Sequence, residues 1–459
     1  MNNSKYDLTR GPILNRLLIV AIPVMGSQLM QMTYNLTDMF WLGKMGSEAV
    51  AASGSAGMYM WLSMSFMLFG RMGAEIGVSQ NLGAGDVASA KKFAQSSVFI
   101  SAALGIVYAA ISAIFSSRLI GFFNIQEAEV AKSASEYLAI VSVGFPFVFV
   151  GSVFGGIFTG AGNSRVPFVI TVFGLITNMI LDPLFIFTLD MGVAGAAAAT
   201  VIGQFVVFVF SAVSVKFSAE RPFEKFEFIS KPDIAKLKQI YRWSAPICAE
   251  NFLFALLTMT ITRFVSPFGE NALSVSRVGS QIESLTWLIG GGFASAVTSF
   301  IGQNYGAKKW ERIWKCFKLS NIAMTVWGIC VSLILFFLGR IIFSVFLQEK
   351  EILDMGQTYL KILAFCQIFM CLEGAAASIF RGIGETAPPS IVSIAGNVFR
   401  VPLSYFLAQT SLGLDGIWVG VTLGAAIRGA CIMVWLVMRK RKLPQTDTPE
   451  AALNAQPEI

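Results

Sequence analysis

The chain has 459 residues, 55% of them hydrophobic and only 13% charged, with a formal net charge of +7 and a mean hydropathy of +0.67. A soluble domain of this size would not tolerate so much apolar surface, so the composition excludes a soluble enzyme and predicts an integral membrane protein. It contains no histidine and no Gly-x-x-x-x-Gly-Lys-Ser/Thr loop, which excludes most familiar metal sites and any recognisable nucleotide site for driving a pump.

Apolar runs separated by polar turns give twelve candidate spans, near 14–40, 50–79, 93–115, 135–158, 166–189, 192–215, 241–265, 279–302, 317–338, 358–380, 389–409 and 414–437. Runs of about 20 residues fit membrane helices, not the alternating strands of a barrel. The fold class is therefore all-α. The first run begins near Ile13 and lacks a small-residue cleavage pattern before it, so no cleavable signal peptide is expected. With both termini placed in the cytoplasm, most of the 34 lysines and arginines fall on the inner side, which supports that orientation of the chain. The positive charge is thus read as a topology signal and as attraction to anionic lipid, not as nucleic-acid binding.

Midway along, Lys216, Arg221, Lys225, Lys231, Lys236, Lys238 and Arg242 mark the longest inner loop. Residues 216–240 are read as a cytoplasmic linker between an N-terminal lobe, 1–215, and a C-terminal lobe, 241–438. The end of the chain, 439–459, is read as a disordered cytoplasmic tail, since its Pro, Gln, Thr and Ala carry no apolar periodicity. Sliding the halves over each other aligns Pro23 with Pro246, Gly46 with Gly269, and Gln80-Asn81-Leu82-Gly83-Ala84 with Gln303-Asn304-Tyr305-Gly306-Ala307 at one offset. Farther on, Gly160-x-Gly162 meets Gly382-x-Gly384, Gly192 and Gly195 meet Gly413 and Gly416, and Asn178 and Pro183 meet Asn397 and Pro402, as the offset drifts by a few residues. This is what a duplication leaves. Six spans per copy, an even number, give both copies one orientation and predict a pseudo-two-fold axis along the membrane normal.

The first span carries Pro23, which removes a backbone hydrogen bond and softens the helix at Ile19, as a hinge or a static kink. Farther along it lie Tyr34 and Asp38. Tyr137 stands in span 4. In span 5, Asn178 and Asp182 are one helical turn apart and share a face. Thr200 follows in span 6. A carboxylate at mid-membrane costs about 2.5 to 3.5 kcal/mol even on the mild insertion scale, so such an acid is a functional site by default. By depth along their helices, Asp38, Tyr34, Tyr137, Asn178, Asp182 and Thr200 can all reach the outer half of the first lobe. The repeat is most informative where it fails: Asp38 aligns with Ile261, Asp182 with Val401 and Tyr34 with Leu257, which concentrates the acids in the first half. In the second half Glu250, Glu373 and Arg400 are secondary candidates for lining a cavity, with Glu373 and Arg400 expected to find each other. The six cysteines have no metal-ligand spacing and are read as small core residues.

Twelve spans in two repeats, Gln-Asn-x-Gly-Ala after spans 2 and 8, and Gly-x-Gly followed by Pro before spans 5 and 11 resemble the multidrug and toxic compound extrusion (MATE) family over essentially the whole chain. Pro23, Tyr34, Asp38, Tyr137, Asn178-x-x-x-Asp182-Pro183 and Thr200 resemble its prokaryotic DinF-like branch. The resemblance implies export of organic, often cationic compounds against inward H+ or Na+, a cation site at Asp38, Asn178, Asp182 and Thr200, a hydrogen-bond network through Tyr34 and Tyr137, and bending of span 1 near Pro23 on protonation. It departs from the NorM-like branch, whose cation site lies in the C-lobe, because Arg400 and Val401 provide no acid to match Asp182. The expected partners are small organic substrates and the lipid bilayer, with the protein a monomer and no cofactor beyond the coupling ion. A lipid-linked saccharide flippase of the same superfamily is the alternative, and would be expected to show a more basic cavity or added spans.

Overall fold

The computed structural model describes residues 6–125, 127–346 and 349–447, and every regular element among them is helical. In chain order these are α1 (Ile13–Met45), α2 (Ser47–Gly83), α3 (Val87–Ile114), the short α4 (Ser116–Gly121), α5 (Ala128–Ser142), α6 (Phe145–Gly160), α7 (Arg165–Pro183) and a π-helical turn (Leu184–Thr188). Then come α8 (Gly192–Phe217), α9 (Ile234–Val265), a 3-10 turn (Ser266–Phe268), α10 (Glu270–Gly306), α11 (Trp310–Ser344), α12 (Lys350–Ala364), α13 (Gln367–Gly382), α14 (Ala387–Ala408) and α15 (Leu414–Lys442). Nine of the described helical segments are long and apolar enough to cross a bilayer, and the pairs α5–α6 and α12–α13 each make one further, bent span. The 37-residue α2, which carries Arg71 and Glu75, stands where the sequence predicts the second span. The chain is a multi-pass membrane protein.

It divides into two compact units, one comprising residues up to Arg10 with Leu18–Cys248, the other Gly11–Leu17 with residues from Ala249 onward. The two units share several backbone features. The α5–α6 pair bends by 47° and α12–α13 by 45°. Behind each bend a glycine of the preceding long helix gives room. A Cβ on Gly105 would fall 2.9 Å from Pro146 Cα, and one on Gly328 would fall 2.8 Å from Ile368 Cα. The aligned turn glycines share left-handed backbone, with φ of 121° at Gly46 and 98° at Gly269, and 88° at Gly162 and 85° at Gly384. An L side chain pays for these values and glycine does not.

Two sequence expectations need correction. The linker 216–240 is shorter and better packed than a loop: Lys216 and Phe217 finish α8, while 234–240 already belong to α9. Between them Phe223 and Phe226 are buried with Phe154 and Phe158 of the first unit, and Asp233 accepts from the Ala235 N–H at 3.0 Å to start α9. Apolar side chains inside a charged stretch tie it down. In the tail, Arg439–Lys442 extend α15, and the chain then returns to α11. Trp314 Nε1 donates to the Pro444 carbonyl at 2.8 Å, and Asp447 Oδ1 accepts from the Glu311 N–H at 3.1 Å. In the first half Asp86 caps α3 by accepting from the Ser89 N–H at 2.9 Å; Lys309 holds the aligned place before α11, so there an acid from the far end of the chain supplies a first-turn acceptor. Residues 448–459 of the expected tail lie outside the described residues.

Candidate functional site

In the first unit, α7 and α8 approach through small residues. A Cβ on Gly203 would lie 3.3 Å from the Asn178 Cβ, and one on Gly174 would overlap Val207. Small residues at such a contact let two helical backbones come close. The polar face of α7 is thereby pressed against α8, and Asn178, Asp182 and Thr200 are all essentially inaccessible to solvent. Asn178 Nδ2 donates to Asp182 Oδ1 at 3.0 Å, the one-turn pairing that their spacing predicts. On α1, the Tyr34 hydroxyl donates to Thr200 Oγ1 at 2.9 Å, and buried Tyr137 of α5 also interacts with Thr200. Asp38, one turn beyond Tyr34, lies within Coulombic reach of Asp182, Tyr34 and Tyr137.

The six residues singled out in the first lobe therefore occupy one place, supplied by α1, α5, α7 and α8. What distinguishes the place is what it leaves unmade. Asp38 Oδ1, Asp182 Oδ2 and Asn178 Oδ1 are buried oxygens without a hydrogen-bond partner. A buried acceptor left unmade is costly, and three of them, one from each of two carboxyl groups and one from an amide, form a donor set for a proton or a hard cation that prefers oxygen.

Two features of the helices that carry this cluster were not visible as sequence signals. Directly after Asp182 and Pro183 the helix widens into a π-helical turn, with the Leu189 N–H reaching back five residues to the Leu184 carbonyl at 2.9 Å. Pro183 gives the physical reason, since it has no N–H to offer the Met179 carbonyl and disturbs the register at that point. Gly195 of α8 receives the widened turn, where a Cβ would come within 2.8 Å of the Phe185 carbonyl. The second feature is Ser164, just before α7. Its buried hydroxyl donates to the Val20 carbonyl at 2.7 Å and lies 3.4 Å from the Ile19 carbonyl, the group that Pro23 deprives of its helical donor. Phe168 packs on Gly26 in the same region, where a Cβ would come within 2.7 Å of its ring. A lone serine after a Gly-x-Gly turn carries no signal that it serves another helix; only its position after the turn hinted at α7's entry.

In the second unit the polar residues pair differently from expectation. Arg400 does not meet Glu373. Glu373 Oε2 lies 3.3 Å from Arg428 Nε of α15, and Arg428 also donates to Asn397 Oδ1. Arg400 Nη2 donates instead to Thr258 Oγ1 at 2.9 Å, and Glu250 Oε2 accepts from Ser390 at 2.8 Å. Arg428 is not among the candidates that sequence spacing singles out. Its place facing α13 depends on helix rotation, which spacing alone does not give.

A family model described as MatE matches residues 23–184 and 246–406, one match in each half. Among curated proteins, the chain is 26% identical over 435 residues to a "Probable multidrug resistance protein NorM" of Thermotoga maritima, covering 93% of each. It is 24% identical over 419 residues to a "Probable multidrug resistance protein YpnP" of Bacillus subtilis, covering 91% of this chain and 93% of that one. A solved structure described as "Crystal structure of MATE in the bent conformation" superposes with a TM-score of 0.90 at 24% identity, over 95% of this chain and 98% of that one, which shows a common fold.

Proposed function

The chain belongs to the MatE family, and from that premise we propose that it is a secondary active multidrug efflux antiporter, exporting amphipathic organic compounds, often cationic, in exchange for inward H+ or Na+. It is a transporter and not an enzyme. The single observation that carries the reading is the buried oxygen cluster of the first unit, where Asp38 and Asp182 face each other's charge with unpaired oxygens. The names of its relatives as multidrug resistance proteins support the substrate class.

In the proposed cycle, both termini are cytoplasmic and the cluster takes its cation from outside. With Asp38 and Asp182 ionised, the first unit attracts a cationic substrate. When a proton or Na+ binds there, held by the two carboxyl groups with Asn178 and Thr200 oxygens, that attraction is lost and the substrate leaves outward. Tyr34 and Tyr137, both directed at Thr200, link α1 and α5 to the site, so its occupancy is felt by α1. Pro23 then gives α1 a place to bend, and Ser164 supplies a donor for the carbonyls beside it. A substrate and a coupling ion that compete for one set of charges need no second coupling site.

The test is drug-stimulated H+ release from proteoliposomes, run with and without a Na+ gradient. Release that depends on ethidium and persists without Na+ assigns proton coupling, and ethidium flux that needs Na+ and releases no H+ assigns sodium coupling. Ethidium flux indifferent to both ions would overturn the antiport.

A further inference from the structure

The second unit contains a buried cation that ion exchange in the first does not use. Arg400 stands on α14 immediately before Val401, the residue that the repeat aligns with Asp182. Only 7% of it is exposed. Its Nη2 donates to the neutral Thr258 hydroxyl at 2.9 Å, and its guanidinium lies 5.0 Å from the centroid of the Phe254 ring. Its Nε is buried with no hydrogen-bond partner. Gly424 of α15 makes room for the side chain, since a Cβ there would come within 2.7 Å of Arg400 Cβ.

Arg428 in the same unit has a counter-charge, the Glu373 carboxylate 3.3 Å from its Nε, and an amide oxygen that accepts from its other edge, although its Nε makes no hydrogen bond either. Arg400 has neither. Among the described residues no carboxylate forms an ion pair with it; Glu283 and Glu373 act on it at longer range, together with the like charge of Arg428. Glu373 is already held by Arg428, and Glu283 accepts from Trp287 Nε1 at 3.4 Å. A guanidinium inside a membrane span is expensive and is kept where it meets a counter-charge or a task. Its planar fork matches a carboxylate or phosphate through two parallel bonds, and Phe254, with 37% of its surface exposed, offers an aromatic face beside it.

We propose that Arg400, Thr258 and Phe254 form an oxyanion subsite in the second unit, which takes the acidic group of an amphipathic ligand while the ligand's apolar body rests on Phe254. This rests on the reading of the protein as an exporter of organic compounds and extends its substrates to amphiphiles that carry a carboxylate. A phosphate of a lipid headgroup presents the same oxyanion, and the two sources are separable by experiment.

The test is direct binding to purified protein in neutral detergent, with no ion gradient. The probes are pyrenebutyrate and its amide, which differ only in the charged group, and dihexanoyl phosphatidic acid against dihexanoyl phosphatidylcholine as competitors. Wild type should bind pyrenebutyrate at least about tenfold more tightly than the amide. Arg400→Gln, which retains a donor for Thr258, should bring that ratio to near one; Arg400→Lys, which retains charge but not the fork, should lower it. Displacement of pyrenebutyrate by phosphatidic acid, but not by phosphatidylcholine, at concentrations below the Kd of pyrenebutyrate itself would assign the subsite to lipid, and weaker displacement assigns it to exported carboxylates. Equal binding of the two pyrene probes by wild type, or an unchanged ratio in the variants, overturns the proposal. Should Arg400→Gln not fold, the wild-type ratio and Arg400→Lys decide alone. Because binding is read without transport, loss of ion coupling with the preference intact would sink the antiport and leave the subsite standing.

Discussion

Asp182→Asn tests the candidate cation site at its centre. In the wild-type structure Asp182 is wholly buried, Oδ1 accepts from Asn178 at 3.0 Å and Oδ2 has no partner. Asparagine keeps a carbonyl oxygen where Oδ1 stands, so the bond from Asn178 can persist in its neutral form, worth about 1 kcal/mol in place of the 1.5–3 kcal/mol typical of a charged acceptor. Against that loss of about 0.5–2 kcal/mol stands relief of a buried charge, about 2.5–3.5 kcal/mol on the insertion scale. The substitution should therefore leave the purified protein as stable as wild type or slightly more so. Coupling should disappear, because the amide neither takes up a proton nor supplies a charged ligand to Na+. The assay is ethidium transport into proteoliposomes against imposed H+ and Na+ gradients, paired with a melting curve of the same preparation. Wild-type coupled flux in a variant with an unchanged melting temperature would refute the assignment. A clear loss of stability would refute the energetic reasoning and point to a structural role for the carboxylate.

Glu250→Gln should impair transport far less than Asp182→Asn, because Glu250 has a hydroxyl partner in Ser390 at 2.8 Å; the reverse order of severity would move coupling to the second unit. Pro23→Ala restores a backbone N–H for Ile19 and favours a straight helix by up to about 3 kcal/mol, so spin labels across α1 should show a pH-dependent distance change that shrinks in the variant, and equal changes in both proteins would leave Pro23 a static kink. Gly105→Leu and Gly328→Leu should each destabilise by at least the 1–3 kcal/mol typical of overpacking, since their Cβ atoms alone would come within 2.9 and 2.8 Å of facing backbone; thermal melts that match wild type would show that the bent spans can move away.

The spans, the duplication and the acid-bearing half were legible because they depend on quantities that a sequence carries directly, namely run length, offset and residue type. Asn178 and Asp182 paired as written because both lie on one helix, where spacing fixes geometry. Rotation about a helix axis is not carried in that way. Hence Arg428, not Arg400, reached Glu373, although both lie on apolar spans one helix apart in sequence. The bends at α5–α6 and α12–α13 escaped because only the first has a proline, Pro146, near it; the second depends on the close approach allowed by Gly328. The linker and the described part of the tail, 439–447, depart from expectation for one reason: composition averages over a stretch, whereas Phe223, Phe226, Pro444 and Asp447 act singly through contacts with distant chain.

The two halves differ in a way that helps explain how one duplicated backbone can perform two tasks. The matched features are those that geometry forces. A left-handed turn at Gly46 or Gly269, and the backbone-to-backbone contact at Gly105 or Gly328, exclude a side chain whatever chemistry the lobe performs. Polar side chains are under no such constraint, because each needs only its own partners to be buried at tolerable cost. At corresponding depths the first half carries Asp38 and Asp182 with unpaired oxygens, and the second carries Ile261, Val401 and the neighbouring guanidinium of Arg400. Where the second half does bury an acid, Glu373, it places Arg428 against it at 3.3 Å. A carboxylate with a tethered counter-ion has little to gain from a mobile one, whereas a carboxylate without one remains open to a proton or Na+. On the proposed reading, exchange of ions falls to the first unit because its carboxylates lack a tethered counter-ion, and the sign of Arg400 leaves the second unit suited to ligands of the opposite charge.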